Sequence, residues 1–190
     1  GHKLVTDLDY ARNRKNLLVQ YRMPAFAWLD GWYTVAASAY DEQTDYIDLR
    51  NVKLLASRSG ELNERWTAVA SLVALRERWS YDTDTATGAR VYNYSTLVYP
   101  ELTGSYIGVD NRLFPRHGLS AQVALRGGAK GAGSDTSFVQ GWGNARWFQG
   151  IGQADRLILR AEGGATWSQD PIALSPSLRF FAGGDRSIRG

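Results

Sequence analysis

Two histidines are the residues whose type would best suit acid–base catalysis near neutral pH. They are His2 and His117. Neither lies in a nucleophile motif, and the His-Glu-x-x-His spacing of zinc enzymes does not occur. We therefore expect both histidines to be solvated surface residues, and we expect no enzyme activity.

Two pairs of carboxylates are the next candidates, because carboxylate oxygens are ligands for calcium. The pairs are Asp7 with Asp9, and Asp82 with Asp84. A calcium loop needs further oxygen ligands at fixed offsets, and neither pair has them. We interpret the four residues as solvated carboxylates or as carboxylates that line a polar interior. No metal and no cofactor is expected.

The segment Gly127–Gly131 is rich in glycine, as phosphate-binding loops are. It contains Lys130 but lacks the Lys-Ser or Lys-Thr end of a phosphate loop, and no helical pattern follows it. We interpret it as a flexible extracellular loop.

The most specific pattern lies at the end of the sequence, in Leu178–Gly190. Arg189 offers five donors in a fixed fork, and if it lay in a confined interior it would need a carboxylate and further acceptors. The glycines would allow tight turns, and Asp185 would cap a turn through backbone amides. The alternative is a glycine-rich surface loop. The candidate site residues are Gly183, Gly184, Asp185, Ile188, Arg189 and Gly190.

The elements that must position this segment are β-strands, because hydrophobicity alternates with a period of two. From Arg156 to Trp167 the odd-numbered residues are apolar or small, and the even-numbered ones carry most of the charge. Successive side chains of a strand point to opposite faces, so one face is predicted to be apolar and the other polar. Around residue 50 we expect the apolar row to be Ile47, Leu49 and Leu55, opposite Asp48, Arg50 and Arg58. The predicted strands are Lys3–Ala11, Asn16–Met23, Trp32–Asp41, Asp45–Ser57, Arg65–Tyr81, Arg90–Asn111, Leu119–Gly127, Thr136–Phe148 and Asp155–Ser168.

The composition narrows the class of β protein. The 190 residues include no Cys and carry a net charge of +3 with no basic run, so nucleic-acid binding is not expected. The apolar runs are shorter than the ~18 residues that a transmembrane helix needs, whereas a membrane β-strand needs only alternation. Aromatic residues gather near the predicted strand ends, as in the girdles of a membrane barrel. They are Trp32, Tyr33, Trp66, Trp79, Tyr81, Trp147 and Trp167.

The predicted fold class is therefore all-β, an antiparallel transmembrane β-barrel of which the chain is a part. A soluble β-sandwich is the alternative from the pattern alone. Bacterial single-chain barrels have even strand numbers, and this chain has nine predicted strands and stops at Gly190. We expect further strands to flank it. Residues 1–168 would form barrel strands, and residues 169–190 would begin a long extracellular loop.

The motif Ile188-Arg189-Gly190, within Phe180–Gly190, resembles the sixth extracellular loop of the BamA/TamA/FhaC superfamily. The segment Asp110–Gly118 is similar to a periplasmic hairpin of that superfamily, and the longer loop pattern is most similar to the TamA branch. The resemblance covers the whole chain and implies roughly the third to the eleventh of sixteen strands. It also implies that the loop enters the lumen and that Arg189 pairs with an acidic residue outside this chain.

The resemblance implies a location in the bacterial outer membrane and a role in inserting or secreting autotransporters and other β-barrel proteins. The implied partners are the lipid bilayer, unfolded substrate proteins and an inner-membrane-anchored partner similar to TamB. The alternatives are a two-partner secretion pore of the FhaC type and a passive porin.

Overall fold

A computed structural model describes residues 1–26, 29–81, 88–153 and 155–179 of the chain. The described residues form antiparallel strands and one 3-10 helix, η1, at Pro176–Leu178, and they contain no helix long and apolar enough to cross a membrane. The all-β antiparallel prediction is confirmed. The strands are β1 Lys3–Tyr10, β2 Arg14–Pro24, β3 Trp32–Gln43, β4 Asp48–Glu61, β5 Trp66–Ser80, β6 Asn93–Val109, β7 His117–Gly128, β8 Phe138–Ile151 and β9 Asp155–Ser168.

The strands form one nine-stranded sheet in which each strand pairs with the next in sequence, from β1 to β9. At one end of the sheet the connections cover residues 11–13, 44–47, 81–92, 129–137 and the segment after 168; at the other they cover 25–31, 62–65, 110–116 and 152–154. In outer-membrane barrels the longer connections are extracellular. We therefore call the first end extracellular and the second periplasmic.

Strand β4 begins three residues later than predicted, at Asp48 rather than Asp45. The cause is a turn centred on Thr44. Its amide donates to the carbonyl oxygen of Ile47 (2.8 Å), and its hydroxyl accepts from the amide of Ile47 (3.1 Å). These local hydrogen bonds replace strand pairing in residues 44–47.

The outward face of the sheet is apolar, and its side chains are exposed in this chain. On β7 it carries Leu119, Ala121, Val123 and Leu125. Leu54, Leu72, Leu102, Val123 and Leu125 are each at least 55% exposed. A lipid environment accounts for such a surface, because exposing a large contiguous apolar area to water is unfavourable. Other exposed members of the face are Leu4, Leu8, Val35, Val52, Val139, Leu157, Leu159 and Trp167.

The facing of β4 differs from the prediction. Leu49 and Leu55 pair with Trp79 and Val73 of β5, which point inward. The row of β4 that was predicted to be the apolar outward row therefore faces inward. The outward apolar residues are instead Val52, Leu54 and Ala56, which pair with Arg76, Ala74 and Leu72 of β5. Both rows of β4 mix apolar and polar residues, because the inward row also packs against the part of the chain that lies on the inward face of the sheet. Leu55, for example, contacts the inner apolar cluster.

Aromatic residues mark the periplasmic end of the outward face, where Trp66 packs on Tyr106 with ring centroids 5.0 Å apart. Trp147 is outward as well and 41% exposed. Trp79 was expected in such a girdle, but it is 2% exposed and lies in the inward row of β5 with Leu75 and Glu77. The outward aromatic residues fit the interfacial girdle of a membrane barrel.

The upper part of β6 extends beyond its pairing with β7, which begins at Glu101. The β7–β8 connection covers this edge. The hydroxyl of Ser134 accepts from the amide of Val98 (2.9 Å) and donates to its carbonyl oxygen (2.8 Å). The Asp135 carboxylate accepts from the amide of Thr96 (2.6 Å). The backbone groups of Thr96 and Val98 on this edge are therefore paired.

Candidate functional site

The candidate site is the place where the chain after β9 turns back over the inward face of the sheet. We call residues 169–179 the inner segment. It starts with a turn in which the Asp170 carboxylate accepts hydrogen bonds from the amides of Ile172 (3.0 Å) and Ala173 (3.3 Å). This local capping is typical of Asp in turns. It directs the following residues toward β5 and β6.

Glu77 of β5 is the polar anchor of the inner segment. Its Oε1 accepts from the amide of Ser177 (3.1 Å) and from the hydroxyl of Ser175. Its Oε2 accepts from the hydroxyl of Ser177 and from the side-chain amide of Asn51 on β4 (2.9 Å). Glu77 is 0% exposed, and a buried carboxylate requires such a full set of donors.

The apolar anchor lies beside Glu77. Leu174 and Leu178 of the inner segment are each 3% exposed, and they belong to the main buried cluster of the described residues. Their neighbours come from the inward rows of three strands, so the segment fills space that the sheet alone would leave open. Those neighbours are Val73, Leu75, Leu97, Tyr99 and Phe138.

A second polar junction holds the end of η1 to β8. The side-chain amide of Gln140 donates to the carbonyl oxygen of Leu178 (2.6 Å) and to the hydroxyl of Thr166 (2.6 Å). Its Oε1 accepts from Arg126 Nε (2.5 Å), and Arg126 lies 3.4 Å from a carboxylate oxygen of Glu101. The junction thus connects the segment to four strands, β6 to β9.

Arg179 closes the inner segment on itself. Its Nε donates to the carbonyl oxygen of Leu174 (2.9 Å), and a terminal nitrogen donates to that of Ile172 (2.8 Å). The guanidinium also lies 5.8 Å from the ring of Trp79. These bonds hold the end of the inner segment against its own beginning.

The sequence-predicted motif lies outside the described residues. This applies to all six candidates, so their arrangement stays a prediction: Gly183, Gly184, Asp185, Ile188, Arg189 and Gly190. The described residues contain no group of three or more His, Cys, Asp or Glu that could hold a metal ion.

Glu77 and its serine partners were missed by the sequence analysis. One signal was present, since Glu77 is a carboxylate between Leu75 and Trp79 in the inward row of β5. A charge in such a row points to a specific partner. The partner could not be named, because Ser175 and Ser177 lie 98 and 100 residues further along the chain.

These features together define a class of protein. An antiparallel sheet with an apolar outward face, aromatic residues toward its periplasmic edge and a segment folded against a partly polar inward face is the architecture of an outer-membrane β-barrel. The whole chain, residues 1–190, matches the Omp85 superfamily domain. The chain therefore belongs to the Omp85 superfamily, and it is a bacterial outer-membrane protein.

One solved structure similar to the chain is that of BamA from Haemophilus ducreyi lacking POTRA domains 1–3. The match has a TM-score of 0.76 and 14% sequence identity, and it covers 100% of this chain and 40% of that chain. At this identity the likeness establishes the fold. The chain spans about 40% of the length of that BamA chain, in agreement with the predicted partial barrel.

Proposed function

We propose that the protein containing this chain inserts or translocates other proteins at the outer membrane, with autotransporters and other β-barrel proteins as substrates. The observation that carries the proposal is membership of the Omp85 superfamily over residues 1–190. The longer loop pattern, Phe180–Gly190, favours the TamA branch, and with it a partner similar to TamB. The role needs no cofactor and no covalent step.

The proposed mechanism has two physical parts. A weakly paired barrel edge would accept a substrate strand by β-augmentation, in a bilayer that the barrel thins locally. The folded-back loop would keep the barrel in a competent shape. The anchoring of the inner segment by Glu77 and by Leu178 supports this second part, because it holds the start of the loop against strands β4 to β9.

The test is reconstitution of the full-length protein in vesicles with an unfolded autotransporter as substrate. The parent protein is expected to raise the rate of substrate insertion above that of empty vesicles. Arg189→Ala should lower this rate at least severalfold, because removal of the guanidinium would leave its acidic partner buried and unpaired. An unchanged rate and unchanged heat stability of the variant would contradict the role of Arg189, and no insertion by the parent protein would contradict the function.

The same reconstituted vesicles distinguish this function from the two alternatives, a two-partner secretion pore and a porin. A porin should conduct ions steadily with the loop in place. A secretion pore should translocate one dedicated substrate and leave unrelated barrel proteins unfolded.

A further inference from the structure

A cluster of basic residues covers the extracellular end of the outward face. Lys15 of β2, Arg50 of β4, and Arg76 and Arg78 of β5 all point outward there. Three of them lie in one row across the strands, since Lys15 is opposite Asp41, Asp41 is opposite Arg50, and Arg50 is opposite Arg78. Arg76 lies in the adjacent row. We call these four basic residues the outer basic cluster.

The outer basic cluster contains a pair that is unfavourable by itself. Arg50 and Arg78 face each other directly across β4 and β5, and Arg76 lies two residues from Arg78 on the same face. Directly opposed residues have Cβ atoms about 5 Å apart, and like charges in that position destabilise the sheet. A bound anion would convert this repulsion into attraction.

Carboxylates of neighbouring residues neutralise only half of the cluster. Arg50 pairs with Asp41 at 2.8 Å. Arg78 lies 3.6 Å from Asp48, which also accepts a hydrogen bond from the hydroxyl of Tyr92 (2.8 Å). Lys15 and Arg76 form no salt bridge with any residue in the described ranges, and their excess charge faces outward.

The cluster lies at the height of lipid headgroups. On β5 the outward row runs from the interfacial Trp66 through small and apolar residues to Arg76, ten residues later. Ten residues rise ~34 Å along a strand. A strand tilted by ~40° therefore spans ~26 Å of membrane, close to the ~25 Å apolar band of outer-membrane barrels. Arg76 thus meets the outer leaflet at its polar boundary.

The same surface has a depression of about 630 Å³ between the two rows. Its apolar lining includes Leu8, Leu17 and Val52, and its basic lining is the outer basic cluster. Apolar side chains toward the bilayer and guanidinium groups at its boundary complement the two parts of an anionic lipid. Arg matches phosphate in particular, because its fork donates two parallel hydrogen bonds.

We propose that the outer basic cluster binds the phosphate-bearing headgroup of a lipid in the outer leaflet, with an acyl chain lying against Leu8, Leu17 and Val52. The arginines and Lys15 contact the phosphate, and the apolar part of the depression contacts the chain. The bound lipid fixes the extracellular ends of β2 to β5. This site is independent of the proposed function and of the inner segment.

The test uses the purified full-length protein, freed of lipid in detergent, and diphosphoryl lipid A as the probe, with binding followed by native mass spectrometry. The double variant Arg50→Gln with Arg76→Gln should bind about 25-fold more weakly, since each surface basic residue contributes about fivefold in affinity. The matched control is Arg146→Gln with Arg160→Gln. These arginines are also directly opposed across two strands but point inward, and their replacement should leave lipid binding unchanged.

Two further probes identify the ligand. Lipid A without its phosphates should bind much more weakly than the diphosphoryl form, and inorganic phosphate at millimolar concentration should not displace the bound lipid. Equal binding by the outward double variant and the parent protein would overturn the proposal, and so would equal binding of phosphate-free lipid. Displacement by inorganic phosphate would overturn the lipid assignment and leave a free-anion site.

Discussion

Glu77 and Ser177 are joined at two points although 100 residues separate them in sequence: the amide of Ser177 donates to one carboxylate oxygen at 3.1 Å, and its hydroxyl donates to the other. The pair connects the inner segment to the middle strands of the sheet. Because Glu77 is fully buried, the carboxylate depends on these donors as much as the segment depends on the carboxylate.

The first prediction is that Glu77→Gln weakens docking of the inner segment by about 2 kcal/mol. The amide nitrogen that replaces one oxygen would face an N–H donor in either orientation, the backbone amide of Ser177 at Oε1 or the side-chain amide of Asn51 at Oε2, and that donor would lose its acceptor. Limited proteolysis of the folded full-length protein measures docking, and cleavage between residues 169 and 190 should become faster. Glu162→Gln is the control, since Glu162 also points inward but makes no hydrogen bond to the described part of the segment. Equal cleavage rates for all three proteins would contradict the anchor.

The second prediction concerns the apolar anchor. Leu178→Ala should lower the free energy of opening of the inner segment by about 3 kcal/mol, because a buried leucine loses both its transfer free energy and its packing. Hydrogen exchange at the amide of Arg179, which bonds to the carbonyl oxygen of Pro176 (3.1 Å), reports this opening. Ile172→Ala is the matched control, since Ile172 is 77% exposed. Exchange that is as slow in Leu178→Ala as in the control would show that Leu178 does not anchor the segment.

Much of the sheet was predictable because period-two alternation depends on adjacent residues. The number of strands and their order follow from it, and β9 has the predicted bounds, Asp155–Ser168. The facing of β4 did not follow, since Leu49 and Leu55 serve an inward cluster that includes residues far along the chain. Alternation assigns faces correctly only where the inside of the barrel is uniformly polar.

The contacts of the inner segment could not be predicted from the sequence. The family resemblance implied a loop after Ser168 that enters the lumen, but it did not indicate that Glu77 and Gln140 hold residues 169–179. Both are polar residues within strands, and nothing adjacent in sequence indicates their partners. Long-range hydrogen bonds of this kind are fixed by strand register and loop path together.

The third prediction tests the β6–β7 hairpin through Gly118, which has a φ of +126°. A Cβ there would lie 2.1 Å from the carbonyl oxygen of Gly108. Gly118→Ala should therefore destabilise the barrel by about 2 kcal/mol or more, through backbone strain and a direct clash. The temperature at which the folded barrel unfolds on a gel in detergent measures the effect. Gly163→Ala is the control, because nothing lies within 4 Å of a Cβ at that outward position; similar losses in the two variants would refute the steric argument.

The fourth prediction concerns the pH dependence of the same hairpin. Asp110 accepts hydrogen bonds at Oδ1 from the amides of His117 (3.1 Å), Arg116 (2.9 Å) and Asn111 (2.9 Å). These backbone bonds, that of His117 first, hold the pKa of the Asp110 carboxyl below its ordinary value of 3.8. A carboxyl whose pKa is lowered by folding stabilises the folded state above its ordinary pKa, and this stabilisation is lost as the pH falls through the ordinary value toward the folded one.

Asp110→Asn removes the charge and keeps an oxygen that can accept these bonds. The parent protein should therefore be more stable than the variant near neutral pH, and the difference in unfolding temperature should shrink as the pH is lowered through the ordinary value of 3.8 and below it. Melting curves of both proteins across this range measure the difference. If the difference in unfolding temperature stayed the same at the lowest pH, the charged carboxylate would not be the source of the stabilisation. The amide would then alter the turn in another way.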